Sequence, residues 1–172
     1  MSHRPQPTEY APYYDNYIRL VPDAPIAATL VRQFGETESF YRRISERQAG
    51  ERYAPGKWTI KQVIGHMMDT ERVFAYRALA ISRRHGDELP SFEQDDYVAA
   101  ANFDQRSWRD LVDEFASVRA ASVGLFERLP DDALDRRGIA AGNEITVRAC
   151  GFICAGHELY HVVSLKDRYR LD

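Results

Sequence analysis

The sequence predicts an all-α protein, a four-helix bundle with a long crossover between its second and third helices. Three of the four helices begin at residues that favour an N-cap, namely Thr59, Ser107 and Thr146. Apolar residues recur at helical spacing along three segments of the chain, and no stretch gives a convincing strand pattern. Four long helices around one core are therefore the expected architecture.

The N-terminal part of the chain is predicted to be an arm followed by a single domain. Residues 1–22 contain four prolines, which favour an extended arm whose tyrosines pack on the body, and residues 23–172 are expected to form the bundle. Asp23 is the predicted N-cap of the first helix, and Pro25 suits its first turn, where the missing N–H is not needed. The apolar positions of this helix are Ile26, Leu30, Phe34, Tyr41 and Ile44.

The second helix has the clearest start in the chain. Thr59 and Gln62 match a capping box, and Trp58 and Val63 occupy the positions of a hydrophobic staple around it. The helix is expected to run to about residue 83. His66 lies in its second turn beside the apolar positions, so it is predicted to face inward.

The segment from residue 83 to residue 106 shows no helical or strand period, and it contains several turn signals. A long irregular connection is expected to cross over the bundle and join two parallel helices. The third helix then runs from Ser107 to Leu129, with a short helical turn predicted over residues 130–134. Gly138, Gly142 and Asn143 mark a loop before the fourth helix begins at Thr146.

Composition excludes some function classes. The net charge is −3, so no basic field indicates a nucleic-acid partner. No apolar run approaches the roughly 20 residues that a membrane helix needs, and the first ten residues lack the apolar centre of a signal peptide. A cytoplasmic protein without a membrane partner is therefore expected. Cys150 and Cys154 are interpreted as small buried residues on one helix rather than as a disulfide.

The fourth helix carries the most informative pair of residues, His157 and His161. Residues at i and i+4 share one face of a helix, so the two imidazoles can bind one transition-metal ion. His66 is the best candidate for a third ligand, because His3 lies in the arm and His85 in a turn-rich loop. Three histidines would leave a coordination position open, as in catalytic zinc sites. Two alternatives stay open, namely three core histidines without a metal, or Cys154 as a ligand.

The pair also forms the H-E-x-x-H pattern of metalloproteases, in which the glutamate acts as a general base. Only eleven residues follow His161, too few for the usual third ligand downstream, and no strand is predicted that would bind an extended peptide. A protease is therefore disfavoured. Glu158 could orient a metal-bound water, although a solvated side chain is the preferred interpretation.

Six motifs follow one another along the chain: PGKWTI at residues 55–60, VIGH at 63–66, DTER at 69–72, FAYRA at 74–78, DDY at 95–97 and the segment from Gly156 to His161. In this order they resemble the DinB-like superfamily, and in particular its YfiT-like branch. The resemblance covers roughly residues 25–170. It implies a four-helix bundle with a long crossover, commonly dimeric, that holds zinc or nickel on one histidine of the second helix and an H-x-x-x-H pair of the fourth. Those positions match His66, His157 and His161.

The resemblance also implies a function. Members of the superfamily have been linked to metal-dependent hydrolysis and to the transfer of low-molecular-weight thiols, and many have no known activity. The leading hypothesis is therefore a homodimeric enzyme with one divalent transition metal ion, zinc or nickel, acting on a small molecule that is expected to be a thiol or a hydrolysable compound. Glu158 and Asp69 are the candidate catalytic residues. The alternative is a non-catalytic binding or stress-response module with a structural metal.

Overall fold

The computed structural model describes residues 3–171 and consists of helices with one small β-hairpin. Four of the helices are long and form the bundle, and the others are short and lie at its ends and in the connections. In chain order the elements are α1 (Asp15–Ile18), α2 (Ile26–Arg43), α3 (Glu46–Ala49), α4 (Ile60–Ser82), α5 (Gln94–Ala101), α6 (Trp108–Phe126), α7 (Asp131–Leu134), β1 (Arg137–Ala140), β2 (Asn143–Thr146) and α8 (Val147–Tyr169). The predicted all-α bundle is confirmed.

The four long helices pack side by side, and their relative directions follow from contacts between helix ends. The ammonium group of Lys61 donates to the carbonyl of Arg106 at 2.6 Å, which places the starts of α4 and α6 together and makes these helices parallel. The hydroxyl of Tyr169 donates to the carbonyl of Trp58 at 2.7 Å, so the end of α8 meets the start of α4 and the two are antiparallel. The connection between α4 and α6 is therefore the predicted long crossover.

Local capping signals determine where three of the long helices begin. The hydroxyls of Thr59, Ser107 and Thr146 each accept a hydrogen bond from the backbone three residues later, as predicted. The first long helix differs from its prediction, since Pro25 and not Asp23 occupies the N-cap position. The carboxylate of Asp23 instead accepts the backbone N–H groups of His3 and Arg4, at 2.7 and 2.9 Å.

The N-terminal segment is not extended, so that prediction is wrong. It folds into two 3₁₀ turns and α1, which packs against α8 and buries Tyr17 and Ile18. Tyr14 packs edge-on against Phe74, whereas Tyr13 is 64% exposed. Prolines limited the segment to short helical turns without preventing its apolar side chains from joining the core.

The structure contains two strands that the sequence did not predict. β1 and β2 pair antiparallel around a two-residue turn at Ala141 and Gly142, and both turn residues have positive φ, as a type I′ turn requires. Leu89 of the crossover bonds to this hairpin through the carbonyl of Ile139 and the N–H of Ala141. Strands of four residues with little apolar alternation give no clear signal. The crossover also contains α5, which the sequence did not predict. Only Val98 of this helix is buried, so it has no apolar periodicity.

The core is divided into two apolar clusters by a polar layer across the bundle. One cluster includes Leu30, Phe74 and Phe126, and the other includes Tyr41, Met67 and Phe115. Between them each long helix contributes buried polar side chains: Gln33 and Thr37 from α2, Thr70 and Glu71 from α4, Arg119 and Ser122 from α6, and His157 and Glu158 from α8. Buried polar groups need partners, so this layer is the first place to look for function.

Candidate metal centre

Three histidines converge at one edge of the polar layer. The Nε2 atom of His157 lies 3.0 Å from Nε2 of His66 and 3.1 Å from Nε2 of His161. Their potential ligand atoms all lie within 4.8 Å of one another, and no carboxylate or thiol of residues 3–171 joins the group. The antiparallel packing of α4 on α8 brings the second turn of one helix to the level of the third and fourth turns of the other. The structure thus brings together the three histidines that the sequence singled out.

Two glycines allow neighbouring segments to press close to these histidines. A Cβ added at Gly65, next to His66, would lie 2.3 Å from the ring of Phe103 in the crossover. A Cβ added at Gly156, next to His157, would lie 2.2 Å from the carbonyl oxygen of Tyr17 in α1. The missing side chains therefore let the crossover and α1 pack directly against α4 and α8.

The three imidazoles cannot satisfy one another by hydrogen bonding. Both close contacts involve Nε2 of His157, which carries either one proton or one lone pair when the ring is neutral. It can donate to one neighbour or accept from one neighbour, so one contact stays unpaired. A divalent transition metal ion accepts lone pairs from all three nitrogens at once, and imidazole suits both zinc and nickel. The donor set therefore fits a metal ion of this kind.

The surroundings keep the three rings neutral and oriented. Burial lowers the pKa of His66 to about 4 and that of His161 to about 3. Burial also holds the pKa of His157 well below its usual range, with a further contribution from the other two rings. Trp58 packs on His66 and Tyr17 packs on His157, with ring centres 4.9 and 5.2 Å apart. Neutral imidazoles are the form that ligates a metal.

Comparison with known proteins identifies the family. The sequence pattern of the DinB superfamily matches residues 29–163, most of the chain. The chain belongs to the DinB superfamily. A sequence comparison with curated proteins finds no significant match.

Solved structures with the same fold support this assignment. YfiT from Bacillus subtilis, described as a probable metal-dependent hydrolase with an unusual four-helix bundle topology, is 15% identical, with a TM-score of 0.66 over 98% of this chain and 94% of its own. The DinB-like protein YjoA from Bacillus subtilis is 20% identical, with a TM-score of 0.61 over 86% of this chain and 90% of its own. A mycothiol-dependent maleylpyruvate isomerase is 11% identical, with a TM-score of 0.70 over 86% of this chain and 62% of its own.

Two clefts reach the histidines of this DinB-superfamily chain from different sides. The first, here called the basic cleft, has a volume of about 360 Å³ and is lined by His161 together with Tyr53, Lys57, Trp58 and Arg168. The second, called the tyrosine cleft, has about 270 Å³ and is lined by His66, His157, Tyr13, Tyr14 and Tyr17. Gln94 and Asp95 of α5 line both clefts, so the crossover forms their shared wall. Volumes of this size suit small molecules.

Glu158 is buried, so its interpretation as a solvated residue is wrong. It is 1% exposed, and its carboxylate faces α2 and α6. One carboxylate oxygen accepts from the hydroxyls of Thr37 and Tyr41 at 2.6 and 2.9 Å. The other contacts the guanidinium of Arg119 at 3.0 Å and accepts from the amide of Gln33. These four partners occupy the acceptor sites of the carboxylate, which leaves none for a metal-bound water.

Arg119 organises a buried charge network that could not be inferred from the sequence. It is 1% exposed and donates to both carboxylate oxygens of Glu71, at 2.9 and 2.7 Å, while also contacting Glu158. Burial alone lowers the pKa of Arg119, but the carboxylates of Glu158 and Glu71 outweigh it and hold that pKa above its usual range. No sequence signal could have found this pairing, because its three members lie on three different helices.

The remaining candidates lie away from the three nitrogens. Asp69 pairs with Arg72 at 3.4 Å, on the side of α4 that faces Glu114 of α6, and burial raises its pKa. Cys154 is buried with its sulfur 4.0 Å from the carbonyl of Glu71, and burial raises its pKa well above the usual range. Cys150 is a buried free thiol, as expected. His85 is outside the cluster too, next to Asp87 in the crossover.

None of the described helices combines the length and apolar character that a membrane crossing requires.

Proposed function

We propose that this chain is a metal-dependent enzyme that acts on a small molecule, with one divalent ion, zinc or nickel, held by His66, His157 and His161. The observation that carries this proposal is the convergence of three neutral Nε2 atoms, because Nε2 of His157 can form a hydrogen bond with only one of its two neighbours. Three protein ligands are typical of catalytic zinc sites, whereas structural sites take four. A bound ion of this kind supplies Lewis-acid activation, lowering the pKa of a water or thiol toward neutrality.

Residues around the three histidines orient the imidazole rings and shield them from water. The hydroxyl of Thr70 lies 3.5 Å from Nδ1 of His66, on the side of the ring away from the other histidines, and favours the orientation that directs Nε2 into the cluster. Trp58 and Tyr17 cover the rings of His66 and His157 and exclude water from those sides. Glu158 and Asp69 take no part in proton transfer in this proposal, since each faces other helices.

Two reaction types fit, and different relatives support them. Transfer of a low-molecular-weight thiol is supported by the two clefts at one site, which accommodate two reactants, and by the likeness to a mycothiol-dependent isomerase. Hydrolysis is supported by the likeness to YfiT, a probable metal-dependent hydrolase. We further propose a cytoplasmic homodimer with residues 23–172 as the catalytic domain. Sedimentation of a 19.8 kDa species at micromolar concentration would contradict the dimer.

Metal content tests the proposal. Protein purified without a His-tag is incubated with zinc or nickel, desalted and examined by elemental analysis. Wild type is expected to hold one ion per chain, and His66→Ala, His157→Ala and His161→Ala are each expected to lose it. His85→Ala is the control, because His85 lies outside the cluster. A wild type that holds no ion would disprove the proposal.

Enzyme assays distinguish the two proposed reactions from each other and from a purely structural role of the metal. The metal-loaded protein is assayed for conjugation of small thiols to monochlorobimane and for hydrolysis of p-nitrophenyl acetate, with the His157→Ala variant as background. Turnover in one assay that disappears with the metal supports the matching reaction. A fully occupied metal that exchanges no ligand with added thiol or water would instead indicate a structural role.

A further inference from the structure

The two clefts at the histidines differ in charge. Among the described residues, the cationic side chains of Lys57 and Arg168 line the basic cleft, and no lysine or arginine lines the tyrosine cleft. The tyrosine cleft instead carries the carboxylates of Glu93 and Asp95. A negatively charged molecule is therefore attracted to one cleft and repelled by the other.

Within residues 3–171, neither cation of the basic cleft forms an ion pair with a carboxylate. The ammonium group of Lys57 makes no ion pair within residues 3–171. Arg168 stacks on the ring of Tyr53 at 5.6 Å and donates to its hydroxyl at 3.3 Å, so a neutral group holds the guanidinium in place. Several exposed arginines of the helices instead pair with acidic residues, as Arg42 does with Asp113 and Arg47 with Glu51. Unpaired cations beside a candidate reaction centre are typical of a site that binds an anion.

Aromatic side chains form the remaining walls. Tyr53 and Tyr169 pack edge-to-face with ring centres 5.0 Å apart, and the hydroxyl of Tyr169 is anchored on the carbonyl of Trp58. Asp95, the only carboxylate among the described residues that line the basic cleft, belongs to the wall shared with the tyrosine cleft. The cleft thus combines cations with aromatic walls, and His161 connects it to the candidate metal centre.

We propose that the basic cleft binds a small substrate that carries a carboxylate, with the carboxylate at Lys57 and Arg168 and the reacting group at the histidines. This inference rests on the proposed function and names the substrate class of that site. The other reactant of a transfer reaction then enters through the tyrosine cleft and is neutral or positively charged.

The test compares rigid thiols of equal size and different charge. 4-Mercaptobenzoate, 4-mercaptobenzamide and 4-(aminomethyl)thiophenol are titrated into the cobalt-loaded protein, and binding is followed through the visible spectrum of the cobalt ion. The para geometry prevents the carboxylate from reaching an ion that holds the sulfur. We expect the carboxylate to bind about tenfold more tightly than the amide, as two exposed ion pairs at one ligand group would give, and the cationic thiol to bind most weakly.

Two double variants test whether the preference for the carboxylate arises in the basic cleft. The double variant Lys57→Gln/Arg168→Gln is expected to bind 4-mercaptobenzoate about tenfold more weakly, with no change for the amide. Lys166→Gln/Arg109→Gln removes the same charge from exposed positions outside the cleft and is expected to keep the preference. Equal binding of the three thiols, or the same loss in both double variants, would overturn the inference.

A measurement on the metal-free protein separates failure of this inference from failure of the proposed function. Benzoate is expected to shift the indole N–H resonance of Trp58 in wild type and not in Lys57→Gln/Arg168→Gln. Absence of that shift in wild type would overturn the carboxylate site even if the metal binds. A clear shift in a protein that binds no metal would leave the carboxylate site standing and disprove the enzyme.

Discussion

Helix α8 presents two neighbouring polar residues to two different environments. His157 faces α4 and α1, where three neutral nitrogens approach one another without a charged partner. Glu158 faces α2 and α6, where its carboxylate has four donors, one of them the guanidinium of Arg119. Both residues are buried in the same polar layer. Burial and polarity alone therefore do not mark a functional residue. What distinguishes His157 is that two other imidazole nitrogens lie close to its Nε2, which can form a hydrogen bond with only one of them.

The comparison predicts that the charge network is structural. Arg119→Met would leave Glu71 and Glu158 buried without a cation, which is expected to lower the free energy of unfolding by about 3–5 kcal/mol. Urea unfolding monitored by circular dichroism measures the change. Arg42→Met, which removes a pair between half-exposed side chains, is the control and is expected to change stability little.

If Arg119→Met does not fold, a triple variant keeps the prediction testable. Arg119→Met combined with Glu71→Gln and Glu158→Gln removes the charges together, so it is expected to fold and to exceed the single variant in stability. A single variant as stable as wild type would show that the network contributes no more than a surface pair.

Substitutions at His157 and at Glu158 are expected to differ in how zinc changes the stability of the protein. At zinc concentrations a hundredfold above the dissociation constant, the wild type is expected to gain about 2.7 kcal/mol in unfolding free energy. His157→Gln should abolish this gain. Glu158→Gln should keep it, while lowering the stability of the metal-free protein by about 1–3 kcal/mol because an amide replaces the acceptor of a buried charge.

Unfolding curves with zinc and with EDTA measure both effects. If Glu158→Gln abolishes the gain as completely as His157→Gln does, the two clusters are not independent, and the division of α8 into a structural and a functional side is wrong.

The smallest expected effects come from a pair of helical glycines. Gly156→Ala would place a methyl group 2.2 Å from the Tyr17 carbonyl, forcing α1 away from the histidine side of α8 at a cost of about 1–3 kcal/mol. Gly35→Ala in α2, where nothing lies within 4 Å of the added carbon, should instead stabilise the protein by about 0.5–1 kcal/mol.

Thermal unfolding of the metal-free variants gives the sign of each change. Equal stabilisation by both substitutions would show that α1 does not depend on its close contact with α8.

Local signals made much of the fold predictable. Thr59, Ser107 and Thr146 define helix starts through hydrogen bonds to residues three positions away, so the chain encodes these boundaries without help from tertiary contacts. The four-residue spacing of His157 and His161 likewise fixes their shared face on any helix. The hairpin and α5 have no clear sequence signal because their strands and helix are short. The hairpin also forms backbone hydrogen bonds with the distant Leu89, and α5 buries only Val98.

The sequence by itself therefore determined the long helices, the N-caps of three of them and the pairing of two histidines on one face. Only the tertiary structure decided that the carboxylate of Glu158 binds Arg119 and side chains of α2. The tertiary structure also decided that α1 joins the core and that Lys57 and Arg168 share a cleft with His161. The physical reason is the range of the interactions. Caps and helical faces depend on residues within one turn, whereas buried charge pairs and clefts depend on the packing of helices that are far apart in the chain.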